Sequence, residues 1–413
     1  MGSRATKHEG PRPPRPRVAE APAHLLVAER AARAARRGHP WVFRDALGTR
    51  SREPGAVPAL PSGTVVELHD ERGRFVARGL FDADTPIGVR LFTLAPDEPL
   101  DDALIVRRLA RAFAHRDDLF ADGLTDAYRL CNGEGDRLPG LVLDRYAELA
   151  VLRLDGGLWR PHTDRLRHLV VPPLRARGIE HLVLRAPGER QVLTHREPPD
   201  TLEVREHGVR FEVDVARGQK TGAFLDQREN RARVRALARG LGRVCNLFSY
   251  TGGFSLAAAL GGAGEVVSVD VAGPAHEAAR RAFARNDLDP GRHAFVTADA
   301  FAWLEGARAR GERFDLVVCD PPSFAPSERA VPKALAAYRR LHAAALGVLA
   351  PGGTLCAASC SSHVRLEDFL GTLDDAVLPG RGLSVREVWG QPADHPTLAA
   401  WPEGRYLKFV VLA

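Results

Sequence analysis

A chain of 413 residues is too long for one ordinary domain and predicts two or three. Its 45% hydrophobic residues come in short runs, and none approaches the roughly 20 residues that span a bilayer, so a cytoplasmic protein with a sizeable core is expected. The net charge of +6 suits a nucleic-acid partner, but only Lys7, Lys220, Lys333 and Lys408 among the 58 basic residues are lysines, and part of that signal reads as coding bias toward arginine. The five cysteines (Cys131, Cys245, Cys319, Cys356, Cys360) form no CxxC pair and are read as free thiols.

Residues 1–22 carry Pro11, Pro13, Pro14 and Pro16 among arginines, too polar to offset the entropy of ordering, and predict a disordered basic tail. Residues 23–97 read as a small β-barrel. Short runs at 64–68, 75–80 and 89–92 are bounded by Gly, Pro and Asp, with one helix at 29–37 that Gly38 ends. Residues 98–215 read as a central α+β domain. Helices are predicted at 104–119 and 165–177, and strands at 141–143, 150–154, 181–184, 202–206 and 209–215, with 144–148 as a connection. The loop 133–140 is read as a tight turn only.

Over 216–413 the pattern becomes strand–helix alternation. Strands are expected at 243–248, 265–270, 293–296, 314–320 and 354–359, and helices at 255–260, 274–286, 301–310 and 334–349. Five strands joined by helical crossovers predict an α/β, doubly wound parallel sheet.

The first crossover reads NLFSYTGGFS, and the next strand ends in Asp270. Gly252 and Gly253 let backbone approach a ligand at a helix N-terminus, and an acid about 18 residues on can accept both ribose hydroxyls. The segment lacks the GxGxxG pyrophosphate cradle and instead offers Asn246, Phe248, Ser249, Tyr250 and Thr251. A nucleoside with a short charged tail, as in S-adenosylmethionine, fits that pattern. Asp299 either meets the adenine amino group or caps the helix that follows it.

The fourth strand ends in CDPPSF. Asp320 falls at the carboxyl edge where open α/β sheets bind ligands, and Pro321 and Pro322 stiffen a backbone that, with Ser323 and Phe324, can face a flat base. The fifth strand runs into SCSS, which puts Cys360 at the same edge, while Cys356 within the strand reads as a buried apolar thiol. Cys360 is either structural or a nucleophile. A cysteine suits methylation of pyrimidine carbon 5, because a thiolate adding to carbon 6 activates that carbon. With a free pKa of roughly 8.5, only about 3% is thiolate at pH 7, so the site must help.

These segments resemble the PUA-domain-containing ribosomal RNA methyltransferase family over roughly 25–413. RGHPWVF (37–43) and RFVARGLFD (74–82) look like its RNA-binding PUA barrel, and DAYRLCNGEGDRLPGLVLDRY (126–146) like its central linker domain. KTGAFLDQREN (220–230), NLFSYTGGFS, CDPPSF, SCSS and DHPTLAAWPEGRYLKF (394–409) are similar to its methyltransferase signatures. The resemblance implies a class I, Rossmann-like methyltransferase sheet with an antiparallel last strand near 406–412. It further implies S-adenosylmethionine as cofactor, with Phe224, Asp226, Gln227 and Arg228 closing over it, although 220–228 taken alone also reads as a solvated helix start. The partner implied is large-subunit ribosomal RNA or its precursor particle, with no metal or membrane and a homodimer compatible. The product implied is 5-methylcytidine in 23S rRNA, with Cys360 and Asp320 as the catalytic pair. Ser323 and Ser362 replace a lysine and a glycine common in the family, and no second Cys follows Asp320 to act as base. Guanine-N7 methylation on the same scaffold, or a non-catalytic role in ribosome assembly, are the competing readings.

Overall fold

The computed structural model describes residues 22–48, 59–186, 189–215, 223–374 and 382–413. The expected tail at 1–22, apart from Pro22, lies outside the described residues, as does the start of the 220–230 stretch. In the N-terminal domain six strands form one sheet in the order Trp41–Val42, Val89–Thr93, Phe75–Phe81, Val65–His69, Ala23–Val27, Leu47–Gly48, curled almost into a barrel. The helix Glu29–Arg36 presses Ala32 and Ala35 into a core with Leu25, Val27, Leu68 and Phe81. Gly38, at φ 97°, then turns the chain out, where its N–H reaches the Ala35 carbonyl at 2.8 Å.

The central domain begins with the helix Asp102–Leu119, whose first turn is capped by Asp101 accepting from the Leu104 N–H at 2.9 Å. It packs on a five-stranded sheet ordered Glu189–Val192, His181–Ala186, Leu149–Leu154, Leu141–Tyr146, Ala127–Asn132. The strand Glu189–Val192, antiparallel to His181–Ala186, is absent from the sequence reading, and two further details differ. Residues 144–146 extend the strand, with Asp144 buried against Arg129 at 2.8 Å, so the turn is only Ala147 and Glu148. Ala127–Asn132 is also a strand, which its interspersed Arg129 and Asn132 disguise.

The C-terminal domain carries the sheet β3-β2-β1-β4-β5-β7-β6, where β1 is Arg243–Leu247, β2 Glu265–Asp270, β3 Ala294–Thr297, β4 Phe314–Cys319, β5 Leu349–Ser359, β6 Val385–Trp389 and β7 Lys408–Leu412. Strands β1 to β5 run parallel, and β7 enters antiparallel to both β5 and β6. Helices α1 (Arg228–Leu237), α2 (Gly253–Gly261) and α3 (Gly273–Arg285) cover one face, and α4 (Ala300–Ala309) and α5 (Val331–Leu346) the other. Alternate residues serve the two faces: Leu247, Val269 and Val317 meet Leu304 and Tyr338, whereas Val244, Val266 and Leu316 meet Leu256 and Phe283. Burial on both faces explains why these strands read as continuous apolar runs. It also brings every carboxyl end to one edge, with the order reversing between β1 and β4, where such sheets bind ligands.

Candidate active site

After Leu247 the chain passes through three left-handed residues, Phe248 (φ 58°), Tyr250 (φ 48°) and Gly252 (φ 76°). Non-glycine residues in this region cost on the order of 1–3 kcal/mol each and need surroundings that hold them. Here the Ser249 N–H donates to the Val269 carbonyl at 3.0 Å, and the Tyr250 N–H to Asp270 Oδ2 at 2.8 Å. Gly252 admits no side chain, because a Cβ would lie 2.8 Å from that of Ala279 on α3. Asp270 Oδ1 accepts from the Ala272 N–H at 2.8 Å. Two backbone donors thus fix this carboxylate, and its remaining lone pairs can take up a diol.

Asn246 lies deeper, buried with Nδ2 donating to Ser255 at 2.9 Å, and its Oδ1 has no hydrogen-bond partner among the described residues. Ser249 is buried 3.3 Å from His276. Asp299 caps α4, accepting from the Ala302 N–H at 3.0 Å, and stays exposed beside the β3 end, so both readings of it remain compatible with its place.

The segment before α1 bends over this edge. Phe224 meets Tyr250 edge to face with ring centroids 5.7 Å apart. Gln227 donates to Asp320 Oδ1 at 3.0 Å and accepts from Asn230 at 2.6 Å, and Asp226 accepts from the Tyr406 hydroxyl at 2.7 Å. Arg228 turns elsewhere: its guanidinium is buried against Asp394 at 2.7 and 3.0 Å and lies 4.7 Å over the Phe120 ring of the central domain. The edge therefore gathers Phe224, Asp226, Gln227, Phe248, Tyr250, Asp270 and Asp320, while Arg228 acts in the domain junction.

Asp320 and Cys360 follow β4 and β5, which are neighbours in the sheet. Ser323 Oγ lies 3.1 Å from Ser361 Oγ, tying the two loops together. Tyr338 reaches up from α5 to donate to Ser359 at 2.9 Å, and its ring packs 4.9 Å from that of Phe324. Pro321 is buried, and Pro322 and Ser323 are exposed at the rim. Cys360 is half-buried, whereas Cys131, Cys245, Cys319 and Cys356 are fully buried. Burial pushes those four thiols well above their ordinary range, which leaves them inert near neutrality. The buried ammonium of Lys408 escaped the sequence reading. It donates to the carbonyls of Ser361 at 2.6 Å, Tyr406 at 2.7 Å and Val364 at 2.8 Å. Its signal was present: a lone lysine in the apolar run 407–412.

Residues 166–399 match the model of the S-adenosylmethionine-dependent methyltransferase family, and residues 25–94 that of the PUA-like domain. The chain belongs to the S-adenosylmethionine-dependent methyltransferases. This methyltransferase is 40% identical over 401 residues to a protein of Deinococcus radiodurans named ribosomal RNA large subunit methyltransferase, covering 94% of this chain and 96% of that one. It is 36% identical to ribosomal RNA large subunit methyltransferase I of Serratia proteamaculans, over 93% and 97% of the two chains. SMU.776, assigned as a methyltransferase and solved with SAH, shares the fold with a TM-score of 0.82 and 24% identity, over 94% of this chain and 99% of that one. The cofactor of the methyltransferase is S-adenosylmethionine. The residues fit it: a fixed carboxylate able to accept from a diol, strained aromatics beside it, and a buried Asn246 oxygen with no hydrogen-bond partner among the described residues.

Proposed function

We propose that this methyltransferase forms 5-methylcytidine in large-subunit ribosomal RNA, with Cys360 as nucleophile. The observation that carries the reading is the contrast among the thiols: Cys360 alone of the five is partly accessible, and it stands at the carboxyl edge beside Asp320. The named relatives support the ribosomal substrate, and the PUA-like domain supports RNA binding.

In this reading Asp270 holds the ribose, Asp299 the adenine amino group, and Phe224, Asp226, Gln227, Asn246, Phe248, Ser249, Tyr250 and Gly252 shape the remainder of the pocket. Arg228 contributes by fixing Asp394 and thereby the segment it opens. S-adenosylmethionine supplies an electrophilic methyl group when bound. The target cytosine is presented with its face open, single-stranded or flipped from a helix, against the 321–324 backbone and Phe324. The Cys360 thiolate forms a bond to carbon 6, which makes carbon 5 electron-rich enough to accept the methyl group. A base then removes the carbon-5 proton, the electrons restore the ring double bond, and the thiolate departs. Asp320, steadied by Gln227, orients the base.

Nucleoside analysis of ribosomal RNA treated with wild type and Cys360→Ser provides the test. Loss of 5-methylcytidine with cofactor affinity retained, together with a covalent adduct between wild type and RNA carrying 5-fluorocytidine, is expected. Full-rate methylation by Cys360→Ser would sink the nucleophile, and a 7-methylguanosine product would replace the pyrimidine reading.

A further inference from the structure

We propose that Lys408 is the counter-cation of the Cys360 thiolate, a positioning residue that holds the 360–364 loop and keeps its thiol reactive at neutral pH. The inference rests on the reading of Cys360 as nucleophile. Lys408 opens β7, and its Cα stands opposite that of Ser359, the last residue of β5. Its side chain, only 4% exposed, therefore rises beside the loop that begins with Cys360.

The three contacts of its Nζ define its protonation state. A neutral amine has two N–H bonds, and only the ammonium can donate to the Ser361, Val364 and Tyr406 carbonyls together. Those carbonyls are dipoles and carry no net charge. Among the described residues no carboxylate pairs with this buried cation. Burial draws its pKa down to about 8, and Cys360 is the neighbour that counters this. A buried ammonium without an anion is strongly disfavoured, so the two charges support each other.

Tyr338, on α5, has its phenol raised by burial and stays neutral. Lys408, bonded to the Ser361 and Val364 carbonyls, puts a positive charge at the loop that carries the Cys360 thiol and so favours thiolate. The thiol proton leaves to solvent, Lys408 remains protonated throughout, and the same cation receives the thiolate when it is expelled from carbon 6.

The pH dependence of Cys360 alkylation by iodoacetamide tests this on the full chain, with Cys360→Ser as blank and the four buried thiols unreactive. Wild type should show a midpoint below the roughly 8.5 of a free thiol. Lys408→Met and Lys408→Gln should raise it by about one unit, making alkylation about tenfold slower at pH 7, and Lys408→Arg should restore most of the rate. Calorimetric S-adenosylmethionine affinity certifies that each variant is folded. An unchanged midpoint in a folded neutral variant overturns the proposal. A wild-type midpoint at or above about 8.5 does so with no variant at all. Alkylation reports the thiol and not methyl transfer, so a Cys360→Ser enzyme that methylates at full rate would remove the nucleophile reading while the midpoint shift stood.

Discussion

Trp41 of the N-terminal barrel meets Trp401 of the catalytic domain edge to face, with ring centroids 5.1 Å apart. The same indole donates to Glu134 of the central domain at 2.7 Å, Glu134 is ion-paired with Arg90 of the barrel, and the Arg90 guanidinium lies 5.6 Å from the Trp41 ring. Three domains thus share one junction. The segment that carries Trp401 continues through Tyr406, which bonds Asp226, to Lys408, which bonds the Ser361 carbonyl.

If that junction is a true coupling, Trp41→Ala and Trp401→Ala should each destabilise the protein, and the double variant should cost less than their sum. The expected coupling is about 0.5–1.5 kcal/mol, the range for aromatic pairs beyond their buried area. Denaturant unfolding of the four proteins measures it, and strictly additive losses would show the contact to be incidental.

Asp394 should make stability fall in acid. Burial alone would raise its pKa, but His395 and the Arg228 guanidinium outweigh this and hold it well below the carboxylate range. A carboxylate with a depressed folded pKa contributes stability in full above its unfolded value and loses it as pH drops below about 4. Asp394→Asn should cost about 3 kcal/mol at pH 7, because buried Arg228 loses its two-point partner and keeps only Glu229 at 2.9 Å, and the deficit against wild type should narrow in acid. Thermal unfolding between pH 7 and 3 would expose a constant deficit if the pair were unimportant.

Asp270→Ala should weaken S-adenosylmethionine binding by about 1.5–3 kcal/mol through loss of a charge-assisted partner. It also removes the acceptor that holds the strained Tyr250 N–H, so the turn itself should loosen. Calorimetry with an unchanged dissociation constant would take Asp270 out of the site.

RNA affinity should fall steeply between low and moderate salt, because arginine–phosphate contacts release counterions on binding. Filter binding over a salt series gives the slope, and a flat response would exclude a phosphate-tracking interface.

Much of the fold was legible because its signals are local. The strands at 243–248 and 265–270 carry apolar runs bounded by turn residues, and the turn between them needs left-handed backbone that glycine announces. The edge strand Val385–Trp389 was not legible, since it is largely exposed and its alternation buries almost nothing. Cys360 and Asp320 were placed at one edge by topology alone, as a doubly wound sheet puts its carboxyl ends there whatever the side chains. Tertiary structure alone decided how charges were partnered. Arg228 was expected over the cofactor and instead joins Asp394, 166 residues away; Glu134, read as part of a tight loop, pairs with Arg90 and Trp41. Lys408 gained meaning only when β7 was laid against β5. Hydrophobic period and turn chemistry are set by neighbours along the chain, whereas a buried ion's partner is whichever group the packing of distant segments brings within about 3 Å, and no local pattern encodes that distance.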